Sequence, residues 1–198
     1  AGVPASWGAT LDLKYTGSST YNTLPEFPLG DAVTTDVTLS GGGTLTLDGD
    51  RTVNDLTLTS GNFNIGANTL TLDDDLTGTT LFGGTTSNLV LNGATIMTLP
   101  SNVSDLNDFT INRSGGVVLA DELVVHGNLT LTDGDFTIGA HELTIHNPIV
   151  TPGVRLKATD ESSITIAGTA ADINLPVNVT ELDVFTLNNT SGSDLLAG

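Results

Sequence analysis

The side chains best suited to chemistry in this chain are carboxylates set in polar turns: Asp48 with Asp50, the run Asp73, Asp74 and Asp75, Asp133 with Asp135, and Asp160 with Glu161. Grouped carboxylates suit a hard cation such as calcium, which collects oxygens from turn side chains and carbonyls. Calcium is the one cofactor the sequence raises, with Asp73, Asp74, Asp75, Asp133 and Asp135 as its candidate ligands. Against it, no stretch has the ligand spacing of an EF-hand loop or of the Gly-rich calcium nonapeptide. Ser60 and Asn62 also stand where a second copy of the same segment has Asp133 and Asp135. The alternative is that these carboxylates are solvated turn residues.

Imidazoles offer less. His141 and His146 flank one extended segment at a separation of five, which puts their side chains on opposite faces, so they and His126 read as surface or turn residues. Asp pairs also serve as acid and base in polysaccharide-active enzymes. Such sites need cationic partners for a sugar acid, and Lys14, Arg51, Arg113, Arg155 and Lys157 are scattered along the chain. There is no G-x-S-x-G elbow. Gly41, Gly42 and Gly43 precede a strand pattern and not the helix start that a phosphate loop requires. The expectation is a protein without catalytic residues.

Charge narrows the classes further. Over 198 residues, 23 acidic side chains face 5 basic ones, a formal charge of −18. Nucleic-acid binding needs clustered Lys and Arg to neutralise phosphates, so that class is excluded. The absence of Cys removes disulfides and thiol chemistry. No apolar run approaches membrane-spanning length, so membrane insertion is not expected.

The elements that carry these residues are strands. Helix formers are scarce, and leucine or isoleucine alternates with threonine in Leu45-Thr46-Leu47, Leu56-Thr57-Leu58-Thr59, Leu70-Thr71-Leu72, Leu129-Thr130-Leu131-Thr132, Leu143-Thr144-Ile145 and Ile164-Thr165-Ile166. A period of two with one aliphatic and one β-branched polar face predicts short half-buried strands. Residues 56–72 and 129–145 agree at 11 of 17 positions with an offset of 73, and the pairs Leu24-Pro25, Leu99-Pro100 and Leu175-Pro176 recur every 75 or 76. A fixed period of this kind marks a repeat array.

These features predict an all-β parallel β-helix, or β-solenoid, with residues 1–10 as cap or linker and 11–198 holding about two and a half repeats of 75 residues. Nine strand candidates per repeat suggest three coils of about 25 residues, hence about eight coils in all. A β-sandwich is the second choice. Inward residues are Leu56, Leu58, Phe63, Ile65, Leu70 and Leu72, matched by Leu129, Leu131, Phe136, Ile138, Leu143 and Ile145. The outward set Thr57, Thr59, Thr69, Thr71, Thr130, Thr132 and Thr144 would form a binding face for ice or a glycan.

With its LTLTxGxFxIGAxxLTL segments following LP…FTINxxxGV, the chain resembles the β-solenoid repeats of large secreted surface proteins from gliding bacteria that use a type IX secretion route. The resemblance implies an extracellular adhesin, stalk or filament component, with no catalytic residue carried over. A solenoid end exposes unpaired backbone, and Trp7 reads as a cap for the first coil, with Leu195 and Leu196 as an apolar terminus. The expected partners are other copies of the chain, stacked end to end, and a carbohydrate or other surface ligand.

Overall fold

The computed structural model describes residues 10–22, 27, 34–150, 156–169 and 179–190. Trp7, Leu195, Leu196 and the pairs Leu24-Pro25 and Leu175-Pro176 lie outside them. The described residues form 22 strands and no helix, and no helix is long and apolar enough to cross a membrane.

The chain winds coil upon coil. The first coil supplies β1 (Thr10–Tyr15) and β2 (Thr20–Asn22), and the second β3 (Thr34–Leu39), β4 (Thr44–Thr46) and β5 (Arg51–Val53). The third holds β6 (Leu56–Leu58), β7 (Asn62–Asn64) and β8 (Thr69–Leu72), and the fourth β9 (Leu76–Thr77), β10 (Leu81–Phe82) and β11 (Asn88–Gly93). The fifth holds β12 (Met97–Leu99), β13 (Asp105–Leu106) and β14 (Phe109–Arg113), and the sixth β15 (Val117–Leu119), β16 (Leu123–Val125) and β17 (Leu129–Asp133). Then come β18 (Phe136–Thr137), β19 (Glu142–Ile145), β20 (Leu156–Lys157), β21 (Ser163–Gly168) and β22 (Val184–Asn189).

Every strand pair is parallel, which gives a three-faced β-solenoid. Face three is one sheet in the order β5-β8-β11-β14-β17. By chain order, face one carries β1-β3-β6-β9 and then β12-β15-β18-β20, and face two carries β2-β4-β7-β10 and then β13-β16-β19-β21-β22. Inward columns stack like on like: Leu70, Leu89, Phe109 and Leu129 are in register, as are Val53, Leu72, Leu91, Ile111 and Leu131. All twelve inward residues named from the alternation are buried. Phe109 and Phe136 meet edge to face at 5.6 Å, an arrangement the ring quadrupole favours.

The coil is shorter than the sequence period suggests. Leu70 pairs with Leu89 and Thr110 with Thr130, so one turn is about 20 residues long, at the short end of the range for stacked repeats. The physical reason is the brevity of each side: two to six extended residues and a tight corner. From β6 to β17 there are 11 strand steps, or three full coils and two further faces. The twin segments therefore start on different faces, 56–72 on face one and 129–145 on face three. Their shared spacing encodes a strand-corner-strand rhythm that any face accepts. At the shared corner Gly134 has φ 75° and sits so close to the Arg113 carbonyl that a Cβ would lie 1.7 Å from its oxygen, so only glycine fits.

Candidate functional site

The outer surface is built from corner ladders. Where face three turns into face one, each carboxylate binds the next coil: the Asp55 N–H donates to Asp36 Oδ1 (3.3 Å), the Asp75 N–H to Asp55 Oδ1 (3.0 Å), and the Thr95 hydroxyl to Asp75 Oδ1 (2.7 Å). At the exit of face three Asn92 donates to Asp73 (2.7 Å) and Asn112 to Asn92 (3.1 Å). Where face two turns into face three, Asn107 Nδ2 and the Asp108 N–H both donate to Asn88 Oδ1, and the Asn128 N–H donates to Asp108. Asx side chains recur here because they satisfy backbone donors that a corner strips of ladder partners.

The five calcium candidates occupy such corners. Asp73 and Asp75 accept the bonds just given, and the Asp74 carbonyl accepts from Arg113. Asp133 accepts from its neighbour Gly134, and Asp135 pairs with Lys157. Asp73–Asp75 and Asp133–Asp135 follow β8 and β17, three layers apart, roughly 14 Å at strand spacing. The two groups cannot share an ion. Among the described residues no three His, Asp or Glu side chains converge where a metal ion could be held.

The threonine set divides among the faces. Thr57 lies on face one in register with Thr38 and Thr77. Thr71 and Thr130 lie on face three with Thr52 and Thr110, a column interrupted by Val90. Thr144 lies on face two with Thr165 and Thr186. Thr69 stands at the start of a face-three strand, and Thr59 and Thr132 are exposed at strand exits. The single binding face expected from the sequence is thus three narrow columns. One copy of the motif spans a whole coil, so Thr57 and Thr71 already lie on different faces, and the eleven-step offset moves the second copy's threonines round by two further faces.

Two constellations escaped the sequence reading. The first is Arg113, fully buried, whose guanidinium makes five hydrogen bonds. Nε donates to the Thr95 carbonyl (2.6 Å), Nη1 to the carbonyls of Asp74 and Asn92, and Nη2 to Asp75 Oδ1 (2.9 Å) and the Thr95 hydroxyl. It sits where face one is cut, because β9 and β12 share no ladder. In the coils before, the Asp55 and Asp75 carbonyls accept the N–H of Val37 and Leu56; the corresponding Thr95 carbonyl is taken by Arg113. A cleft of about 370 Å³ opens there, lined by Leu76, Met97, Pro100 and Arg113, with Ile96 69% exposed at its edge. Gly93 makes the room, since a Cβ would lie 2.5 Å from Nη1.

The second is a stack on face two. His126 Nε2 lies 3.0 Å from Asp105 Oδ1, and the His126 and His146 ring centres are 4.8 Å apart. Burial, and secondly the neighbouring His126, lower the His146 pKa below the ordinary imidazole value. The signal for both constellations was the coil length. Asp105, His126 and His146 follow one another at successive coils, as do Asp75, Thr95 and the partner of both, Arg113.

No family model, no curated protein and no solved structure matches this chain.

Proposed function

We propose that this chain is a structural or adhesive rod of the cell exterior, a stalk or filament segment that stacks end to end and carries no reaction chemistry. The observation that carries the reading is β22, the last strand among the described residues. β22 lies on β21 in full register, yet its Val184, Phe185 and Leu187 are 47%, 37% and 49% exposed. Phe185 and Leu187 continue the core columns of Ile164 and Ile166. At the far end β1 offers Leu11, Leu13 and Tyr15, half-buried, on the same alternation. Two six-residue parallel edges with matching in-out patterns can pair. The head-to-tail contact places Phe185 on Leu11 and Leu187 on Leu13 of a second copy, an open heterologous contact that propagates. The interchangeability of faces supports it, because β22 is on face two and β1 on face one.

The extracellular setting rests on the resemblance to secreted solenoid repeats and on the acidic composition. Corner Asn, Asp and Thr ladders then supply the polar surface that meets carbohydrate or neighbouring rods. Electron microscopy of the purified chain over a concentration series tests the reading. Filaments of the rod's own width are expected, lost in Phe185→Asp; single short rods at every concentration would overturn it. A binding module for ice or glycans is the second reading, favoured by the in-register threonine columns, and thermal hysteresis or glycan-array binding by the monomer would establish it.

A further inference from the structure

We propose that His126 and His146 form a binding site for a borderline divalent transition ion, Zn²⁺ or Cu²⁺, held by one imidazole from each of two successive coils, with solvent completing its shell. Imidazole suits these ions, whereas calcium prefers oxygen. The two rings are delivered by the backbone: the His126 N–H donates to the Leu106 carbonyl (2.9 Å) and the His146 N–H to the Val125 carbonyl (3.1 Å), so the ladder fixes their separation. A metal–nitrogen bond of about 2.1 Å puts the ion roughly 3.2 Å from each ring centre. Ring centres 4.8 Å apart then subtend about 97° at the ion, between the square-planar and tetrahedral angles these ions adopt.

The surroundings fit. Asp105 Oδ1 engages His126 Nε2 at 3.0 Å, which leaves Nδ1 for the ion and orients the ring, as carboxylates behind metal-binding histidines do. Asp105 is therefore a positioning residue. The His146 ring has no hydrogen-bond partner among the described residues, and the His126 side chain is 31% exposed, so the ion has a path from solvent. The same column carries Asn107 one coil earlier and Ala167 one coil later, so the imidazole pair occupies only these two layers. An ion here would clamp two coils together.

The test uses untagged protein and the metal alone. Titration with ZnCl₂ by calorimetry is expected to give one ion per chain, while ¹⁵N–¹H spectra of the wild-type imidazoles show the His126 and His146 signals moving together and His141 unmoved. Cu²⁺ paramagnetic resonance is expected to show two coordinated nitrogens. His126→Asn and His146→Asn, which borrow the residue found at position 107, each weaken binding at least about tenfold. Asp105→Asn weakens it by a smaller factor, within the range outer-shell partners command, and broadens the His126 signals as its tautomers mix. His141→Asn leaves binding unchanged. Absence of binding at millimolar Zn²⁺, ring signals of His126 and His146 that do not move in the wild type, or affinity that survives both histidine variants would overturn the site.

Discussion

Face three runs its backbone ladder unbroken through five strands from β5 to β17, whereas face one is cut between β9 and β12 and closed by the buried guanidinium of Arg113. Both joints keep the coils stacked, but they distribute the load differently. On face three the peptide ladder carries the joint, with Asn and Asp side chains adding bonds only at the strand ends, so outward positions within it accept Thr or Val. On face one the bonds of three coils converge on one residue, which needs Gly93 for space and Asp75 for charge. A second buried arginine sharpens the lesson. Arg51 is 4% exposed at the first layer of face three, pairs with Asp48 and lies over the Phe27 ring at 5.4 Å. Its Nε has no hydrogen-bond partner among the described residues, its two hydrogen bonds reach only Asp50 and Asp48 of its own coil, and it touches the coil before through the Phe27 ring alone. Arg113 thus joins coils by hydrogen bonds, whereas Arg51 meets its neighbour only by stacking.

Four outcomes test that contrast, from the largest effect to the smallest. On face three Phe109→Ala is expected to cost about 3–5 kcal/mol in denaturant unfolding, because it empties a fully packed site. Its outward neighbour Thr110→Ala should stay within about 0.5 kcal/mol; equal costs would mean that the columns are not packed as described. On face one Arg113→Ala is expected to cost about 2–4 kcal/mol by leaving the carbonyls of Asp74, Asn92 and Thr95 without their donor. Hydrogen exchange should localise that loss to residues around Leu76 and Met97 while Leu70 and Leu89 stay protected. Uniform loss of protection would erase the distinction between the two joints.

Gly93→Ala should cost about 1–3 kcal/mol through its φ of 110° and the crowding of Nη1. A double-mutant cycle with Arg113→Ala separates the two contributions, and only the crowding part disappears. The smallest effect is a pH dependence on face two. Because the His146 pKa is lowered from 6.5, the unfolded chain takes up this proton first as pH falls. Stability is then level well above the ordinary imidazole value and declines as pH falls through it towards the lower folded value, and His146→Asn reduces that decline. A slope identical in wild type and variant would show that the imidazole is not held neutral by its place in the stack.

The solenoid and its core were legible because inward and outward residues differ in type at a period of two, as at Leu70-Thr71-Leu72 and Leu143-Thr144-Ile145. Coil length was not, because the strongest self-similarity, between 56–72 and 129–145, is set by eleven strand steps and so is not a whole number of turns. Everything that depends on stacking was hidden with it: the threonines that seemed to share one face, the bridge from Arg113 to Asp75, and the meeting of His126 with His146. His141 and His146 attracted attention as neighbours in sequence, yet the partner of His146 is a full coil away. The corner carboxylates were visible as a group, but their acceptance of the next coil's N–H groups follows only from the register.

The claim that the stack continues from one molecule into the next is tested most directly by mixing two single-cysteine variants, Asp12→Cys on β1 and Thr186→Cys on β22. The natural chain has no cysteine, so any cross-link reports the engineered pair. With Phe185 over Leu11 and Leu187 over Leu13, the outward Thr186 faces Asp12, at a separation a disulfide spans. The account predicts a mixed disulfide that forms under mild oxidation only when both variants are present. Cross-linking confined to like with like, or none at concentrations where assemblies form, would contradict it.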